Sequence, residues 1–361
     1  MTRTVNNKTT YSKEEINIGI QYFIIHFCIE LICFYCVNRL INLDIIESII
    51  VCILYDFVAF LPQALIGNWY NKHKGFKISY IGLTLMILGT ILMIMHNAVV
   101  IVIGIIGIAL GNAILHECGA IGTITVSKGN IFPSALFVGG GSFGLIVGKT
   151  LGNNQVTPLC LIPFILIMIL LTLISDKAWI DYKEVNYNKI RATNKDVNTD
   201  IIIIVAFIVV VVRSFIGYGI PTSWRQTTWQ FFIMYFAMGF GKAFGGYLCD
   251  KIGYKTTGII STLVSIPFLI IGDRNMIISV LGIMMFSMTM SVTFGMLLDR
   301  IPNNPGLAFG ITTIGLIIGT IPIFIWKFTN EINTILVIIG SILSFGLLSI
   351  TLCNKNTEKE E

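Results

Sequence analysis

Apolar residues run along this chain in long blocks, separated by short polar stretches rich in Lys, Asn and Gly. A helix needs roughly 20 apolar residues to cross a bilayer. The blocks predict twelve such helices, over about 16–37, 45–66, 78–95, 98–126, 131–151, 157–175, 201–222, 228–248, 256–272, 276–298, 305–326 and 332–352. Composition agrees, since 55% of the residues are hydrophobic and only 12% are charged, against about 25% charged in soluble domains. The expectation is an all-α integral membrane protein with little chain left for a separate soluble domain. The first fifteen residues are polar and no small-residue cleavage site follows the first block, so no cleavable signal peptide is expected.

One polar connection is much longer than the others, from Asp176 to Asp200. It follows the sixth block, so the chain is expected to divide into an N-terminal six-helix bundle (1–175), a cytoplasmic linker (176–200) and a C-terminal six-helix bundle (201–361). A short polar stretch, Gly246 to Lys255, has a weaker copy at Gly67 to Lys77. An offset of 178 residues places Gly67 on Gly245, Gly75 on Gly253 and Lys77 on Lys255, and a one-residue gap places Asn71 opposite Asp250. Internal repeats meeting at the bilayer midplane mark secondary transporters.

The run Gly246-Tyr247-Leu248-Cys249-Asp250-Lys251-Ile252-Gly253-Tyr254-Lys255 resembles the loop signature of the major facilitator superfamily, G-x-L-x-D-[RK]-x-G-[x]-[RK], between helices eight and nine. The first-half copy has Asn71 for the acid, Trp69 for the Leu and one extra residue. The resemblance implies twelve transmembrane helices in two six-helix pseudo-repeats around a central cavity, with transport by alternating access. Arg213 to Gly219 resembles drug-efflux members such as the fosmidomycin-resistance group, which implies drug or metabolite export; uptake stays open beside it. Asp250, at a helix end, can accept hydrogen bonds from the free N–H groups of a neighbouring helix start. Lys251 and Lys255 can pair with it or with anionic head groups. Contacts that form in one arrangement and break in another bias a two-state equilibrium. Gly246, Asp250, Lys251, Gly253 and Lys255 are therefore candidates for a conformational switch, with Gly67, Asn71, Gly75 and Lys77 as the counterpart; a plain solvated loop is the alternative.

Gly140, Gly144, Gly148 and Gly152 follow one another at i, i+4 spacing in the fifth block, leaving one helix face as bare backbone for close packing. Sliding between halves and static packing would both use such a face. Gly140 to Gly144 spells G-x-S-x-G, but a nucleophile elbow needs a strand-turn-helix context. His116-Glu117 begins like H-E-x-x-H, yet Ala120 stands where the second ligand belongs. An intramembrane protease is thus a weak rival, and a transporter-derived sensor without flux is another. No phosphate-binding G-x-x-x-x-G-K-[ST] loop is present. The chain is expected to be a monomer and not an enzyme, with no cofactor, no metal and no nucleic-acid partner. Its partners would be an unidentified small-molecule substrate, protons and membrane lipids.

Five charged residues fall inside the blocks: Glu30, Asp56, Glu117, Arg213 and Lys242. Each costs roughly 3 kcal/mol to insert unless it faces a partner or a wet cavity, and such residues usually mark ion or substrate paths. Glu30 and His26 share one helix face, and Glu30 lies near mid-depth, as a reversible proton carrier would. Asp56 is comparably deep. Arg213 keeps its proton and must find an acid, Glu30 or Asp56, or an anionic substrate. Lys242 lies nearer a span end, where its long stem can snorkel. Asn112, His116 and Glu117 add polar groups to the fourth block, as cavity lining or as interhelical hydrogen bonds. The five Trp residues (69, 179, 224, 229 and 326) lie near block ends, where interfacial anchoring explains them. Cys33 and Cys36 form a C-x-x-C inside one apolar block, a packing feature rather than a redox pair.

Lys and Arg are distributed unevenly. Seventeen of them, including Arg3, Lys8, Lys72, Lys128, Lys183, Lys251, Arg300 and Lys355, fall on the side of the N-terminus. Five fall on the other: Arg39, Lys149, Arg225, Arg274 and Lys327. The positive-inside rule then places both termini in the cytoplasm of a cell bounded by this membrane. A reporter fused after Glu361 is expected to fluoresce as green fluorescent protein and to be inactive as alkaline phosphatase; the opposite pattern would invert the topology.

Overall fold

The computed structural model describes residues 10–40, 45–95, 97–127, 129–180, 190–326 and 328–353. The centre of the 176–200 linker and the basic residues at 3, 8, 128, 183, 189, 327, 355 and 359 lie outside the described residues. Among the described residues all the named elements are helices. In chain order they are α1 (Lys13–Arg39), α2 in two pieces (Ile45–Phe60 and Gln63–Lys72), α3 (Ile78–Met93), α4 (Ala98–Ser127), α5 (Phe132–Asn153) and α6 (Pro158–Trp179). They continue as α7 (Thr199–Gly219), α8 (Thr228–Ile252), α9 (Tyr254–Ile271), α10 (Met276–Arg300), α11 (Pro305–Ile325) and α12 (Asn330–Thr351). Eleven of them are long and apolar enough to cross a membrane, and α3 is a shorter apolar helix. The chain is a multi-pass membrane protein.

Local chemistry sets the boundaries. Ser12 and Glu15 form a capping box that starts α1, and Thr227 and Gln230 form another at α8. Pro62 lacks an N–H, and the helix breaks there before resuming at Gln63. The resumed piece runs to Lys72, so Gly67 and Asn71 lie inside a helix rather than in the loop that the sequence suggests. The same holds for Gly246, Asp250 and Lys251 in the last turns of α8. The turns themselves fall on Gly75 and Gly253, each at φ +91°, a conformation that only glycine adopts without strain. In α9, Pro267 removes one N–H, and the adjoining turn, Ile260–Val264, opens into a π-segment.

The glycine stripe of α5 faces α1. A side chain at Gly140, Gly144, Gly148 or Gly152 would run into the backbone of Phe23, Phe27, Leu31 or Tyr35 respectively. The stripe therefore joins two helices of the first six and does not form the seam toward the last six. That seam has two parts. On one side α5 packs against α8, with Gly139 on Gly239 and Gly246 on Ala135 and Phe132. On the other, α2 packs against α11, with Gly67 on Gly306 and Ala64 on Gly310. Within the last six helices, Gly241 and Gly245 of α8 rest on Met284 and Met288 of α10.

Two of the tryptophans are not interfacial anchors. Trp179 is buried and its Nε1–H donates to Tyr22 at 2.7 Å, and Trp224 is also buried. The linker is tied down beyond its described start at Ile190: Asp299 accepts from the N–H groups of Ala192 and Thr193, and Arg300 donates to Thr193 and Asn194. Leu352, at the end of α12, bridges to Thr193. The end of the bundle where α1 begins and α12 ends is called here the terminal face.

Close backbone contact makes the α1–α5 joint intolerant of even a methyl group. Gly144→Ala and Gly148→Ala are expected to destabilise the purified protein by about 1–3 kcal/mol through overpacking. Gly346, with open space around it on α12, is the control. Gly346→Ala should leave stability unchanged or raise it by up to about 1 kcal/mol through helix propensity. Thermal unfolding in detergent reads all three, and equal melting temperatures across the set would refute the packing assignment.

Candidate functional site

Four side chains converge between α1, α2 and α4. His26 and Glu30 stand one turn apart on α1, and Asn112 and His116 one turn apart on α4; all four are at most 5% exposed. Asn112 Nδ2–H donates to Glu30 Oε1 at 3.0 Å and to the Tyr55 hydroxyl of α2 at 2.7 Å. The same Glu30 oxygen lies 3.5 Å from His116 Nε2 and 3.7 Å from His26 Nε2. Each imidazole is held from behind. His26 Nδ1–H donates to the Phe137 carbonyl at 2.9 Å, and His116 Nδ1–H donates to the Asn112 carbonyl at 3.1 Å. The two rings meet edge to face at 4.2 Å, with Phe60, Phe137 and Phe309 packed around His116. The sequence contains no metal-ligand spacing, yet His26, Glu30 and His116 bring three ligand atoms within 4.8 Å of one another. Distance along the chain hides this grouping, because α1 and α4 meet only in three dimensions.

Asp56 lies one residue beyond Tyr55, within electrostatic reach of Glu30. It keeps partial exposure at that depth. On the facing helices, Arg213 of α7 and Lys242 of α8 are also half-buried and within reach of each other. Arg213 does not pair with Glu30 or Asp56: it makes no ion pair among the described residues, and its buried Nε has no hydrogen-bond partner. Lys242 does not snorkel outward, because its Nζ donates to Ser142 Oγ of α5 at 2.9 Å, across the seam. Glu117 also departs from expectation. It points away from His116, into the contact between Gly67 and Gly306, and neither of its carboxyl oxygens has a hydrogen-bond partner.

The two parts of the seam close differently at the terminal face. Asp250 caps the start of α5: the Ile131 N–H donates to Oδ1 and the Phe132 N–H to Oδ2, both at 3.0 Å. The Tyr11 hydroxyl adds a third bond at 3.1 Å, and burial beside Asp250 pushes the Tyr11 hydroxyl pKa up. Lys251 lies over the rings of Tyr11 and Tyr247. Lys255 is half-buried in the first turn of α9. Across the α2–α11 seam no acid does this work. Asn304 caps α11 by accepting from the Leu307 N–H, and its Nδ2–H donates to Asn68 at 3.0 Å. Asn71 instead lines a small cavity of ≈ 70 Å³ with Tyr70, Lys74, Thr125 and Asn304. Lys77 precedes α3 and sits over the Tyr80 ring. Tyr11 and Tyr55 were missed in the sequence. Tyr55 had a signal, being next to an acid inside an apolar block, whereas Tyr11 stands in a polar tail with none.

No family model matches this sequence, and no curated protein matches it either. Solved structures do match over nearly the whole chain. FucP, a major facilitator superfamily transporter in the outward conformation, superposes with a TM-score of 0.62 at 15% identity, over 94% of this chain and 98% of that one. A variant of the E. coli fucose:proton symporter FucP superposes with a TM-score of 0.65 at 14% identity, over the same shares. A bacterial homologue of the iron transporter ferroportin, in an outward-facing state, gives 0.54 at 11% identity over 92% and 98%. This chain therefore has the fold of the major facilitator superfamily transporters.

Proposed function

We propose that the protein is a secondary active transporter that moves a small organic solute across the cytoplasmic membrane by alternating access, with the proton gradient as the driving force. In this reading residues 1–175 and 201–361 are two six-helix halves, residues 176–200 join them on the cytoplasmic side, and both termini are cytoplasmic. The observation that carries it is the opposition, deep in the bundle, of acids on α1 and α2 to bases on α7 and α8, astride the seam. Ionised groups are held at such depth where they meet substrate, ions or one another. The fold neighbours are transporters, one of them a fucose:proton symporter. Export of drugs or metabolites is the direction suggested by the Arg213–Gly219 resemblance.

Asp56 suits the proton-carrying role. It is partly exposed, it faces no base within ion-pair distance, and no hydrogen bond to it is found among the described residues. A carboxyl so placed exchanges its proton with cavity water on whichever side the cavity opens. One charge crossing the membrane potential supplies about 2.3 kcal/mol per 100 mV. Arg213, with no protein partner for its Nε, is the group placed to hold a polar or anionic part of the solute. Asp250 then serves as the catch that holds the terminal face shut, since its bonds to α5 exist only when α5 and α8 touch. The alternative of a sensor without flux has no feature of its own in this geometry.

Two experiments test this. A panel of small organic ions is screened by thermal stabilisation, and solutes that bind are assayed in proteoliposomes with a trapped pH indicator. Wild type should move protons when solute is added, and Asp56→Asn should still bind solute without moving protons; proton movement equal to wild type would remove Asp56 from the coupling path. In the second, spin labels on α5 and α8 at the terminal face report opening. Asp250→Ala should shift the population toward the open form by about 1.5–3 kcal/mol, the range for hydrogen bonds to a charged group. An unchanged distance distribution would show that Asp250 is only a static cap.

A further inference from the structure

The arrangement of Glu30 and the two histidines poses a problem of its own. In both rings Nδ1 must carry the proton, because it faces a carbonyl oxygen that can only accept. In the neutral ring Nε2 is then a lone pair. Two lone pairs thus point at one oxygen of Glu30, at 3.5 and 3.7 Å. Asn112 donates to that oxygen from one side, but neither ring Nε2 meets a donor among the described residues, so the geometry calls for a positive charge, a proton or a metal ion, between the three atoms.

We propose that His26 Nε2, His116 Nε2 and Glu30 Oε1 form a binding site for one divalent transition-metal cation of the zinc, cobalt or manganese kind. Metal–ligand bonds of about 2.1 Å in tetrahedral array place ligand atoms about 3.4 Å apart, close to the two distances found here. The surroundings match the donor set. Metal-binding imidazoles characteristically donate their other N–H to a carbonyl or carboxylate, which fixes tautomer and ring angle, and both rings do so. The carboxylate is steadied in turn by Asn112, itself bonded to Tyr55. Two imidazoles and a carboxylate favour borderline transition ions over magnesium or calcium, which prefer all-oxygen shells. Three protein ligands leave the fourth position open for water or a bound solute. One group opposes the ion: the Lys242 ammonium lies within electrostatic reach of all three ligands, although it is bonded to Ser142. This inference does not rest on solute transport, and equilibrium binding tests it without any flux.

The experiment titrates the full-length protein in detergent with Co2+, reading the visible ligand-field absorption of a four-coordinate ion, with Zn2+ as competitor and Mg2+ as the negative arm. Wild type should bind one Co2+ with intense absorption that Zn2+ abolishes and Mg2+ leaves unchanged. Glu30→Gln and His116→Gln should remove that absorption. Asn112→Leu, which leaves the ligands but loosens the carboxylate, should weaken affinity by about 10–100-fold, the usual effect of a supporting residue. Lys242→Met should tighten binding by removing the opposing charge, a gain that misfolding cannot mimic. Loss of absorption in Glu30→Gln together with tighter binding in Lys242→Met would establish the site. Absence of saturable Co2+ binding in wild type, or binding unaltered by both Glu30→Gln and His116→Gln, would overturn it and leave the trio as a purely protonic cluster.

Discussion

Hydrocarbon offers neither donors nor acceptors, and every polar group in this chain is arranged under that constraint. Backbone groups satisfy one another along helices, and the spans among the described residues are all helical. Side chains have no such internal solution, and those that are charged collect where helices meet. Glu30 settles against Asn112 and the two histidines, while Lys242 reaches across to Ser142. Hydroxyls inside the spans turn back on their own helices, as Thr90, Thr123 and Ser265 do toward carbonyls one turn earlier. Glu117 and Arg213 are among the exceptions. Each lies inside a span and retains a buried polar atom with no partner.

The two parts of the seam solve one problem with different chemistry. At α5 and α8 a carboxylate receives two backbone N–H groups at a helix start, where the helix dipole strengthens the contact. At α2 and α11 the residues that bridge the seam are amides, Asn68 and Asn304, and the close approach is made by Gly67 on Gly306. The first contact is directional and charged, the second mainly a matter of shape. The seam is thus chemically lopsided even though the two loops share the same glycine turn at Gly75 and Gly253.

Much of this was legible in the sequence, and the failures have physical causes. Apolar blocks located the helices to within a few residues, because burial in lipid demands length and little else. Helix interruptions were harder: the Gly67–Lys77 stretch reads as a polar loop, yet Gly67 to Lys72 are the last turns of a helix. Interhelical partners were the least readable. Nothing along the chain brings His116 to Glu30 or turns Glu117 away from it, since that depends on how α4 rotates against α1. The glycine stripe of α5 announced a close neighbour without naming it, and the neighbour is α1. Trp179 read as a surface anchor, and its ring is instead enclosed beside Tyr22.

The contact between α1 and α5 has a mechanical meaning. Four glycines let the two backbones touch along their length, and His26 is also tethered to the Phe137 carbonyl, so the pair can hardly shear and behaves as a single stiff beam. One end of that beam is capped by Asp250, and its middle carries Glu30 and His26. In the proposed opening at Asp250, any tilt of that beam would carry Glu30 and His26 with it. Communication between the two places would then need no chain of rearranging side chains, only a rod too rigid to absorb the displacement.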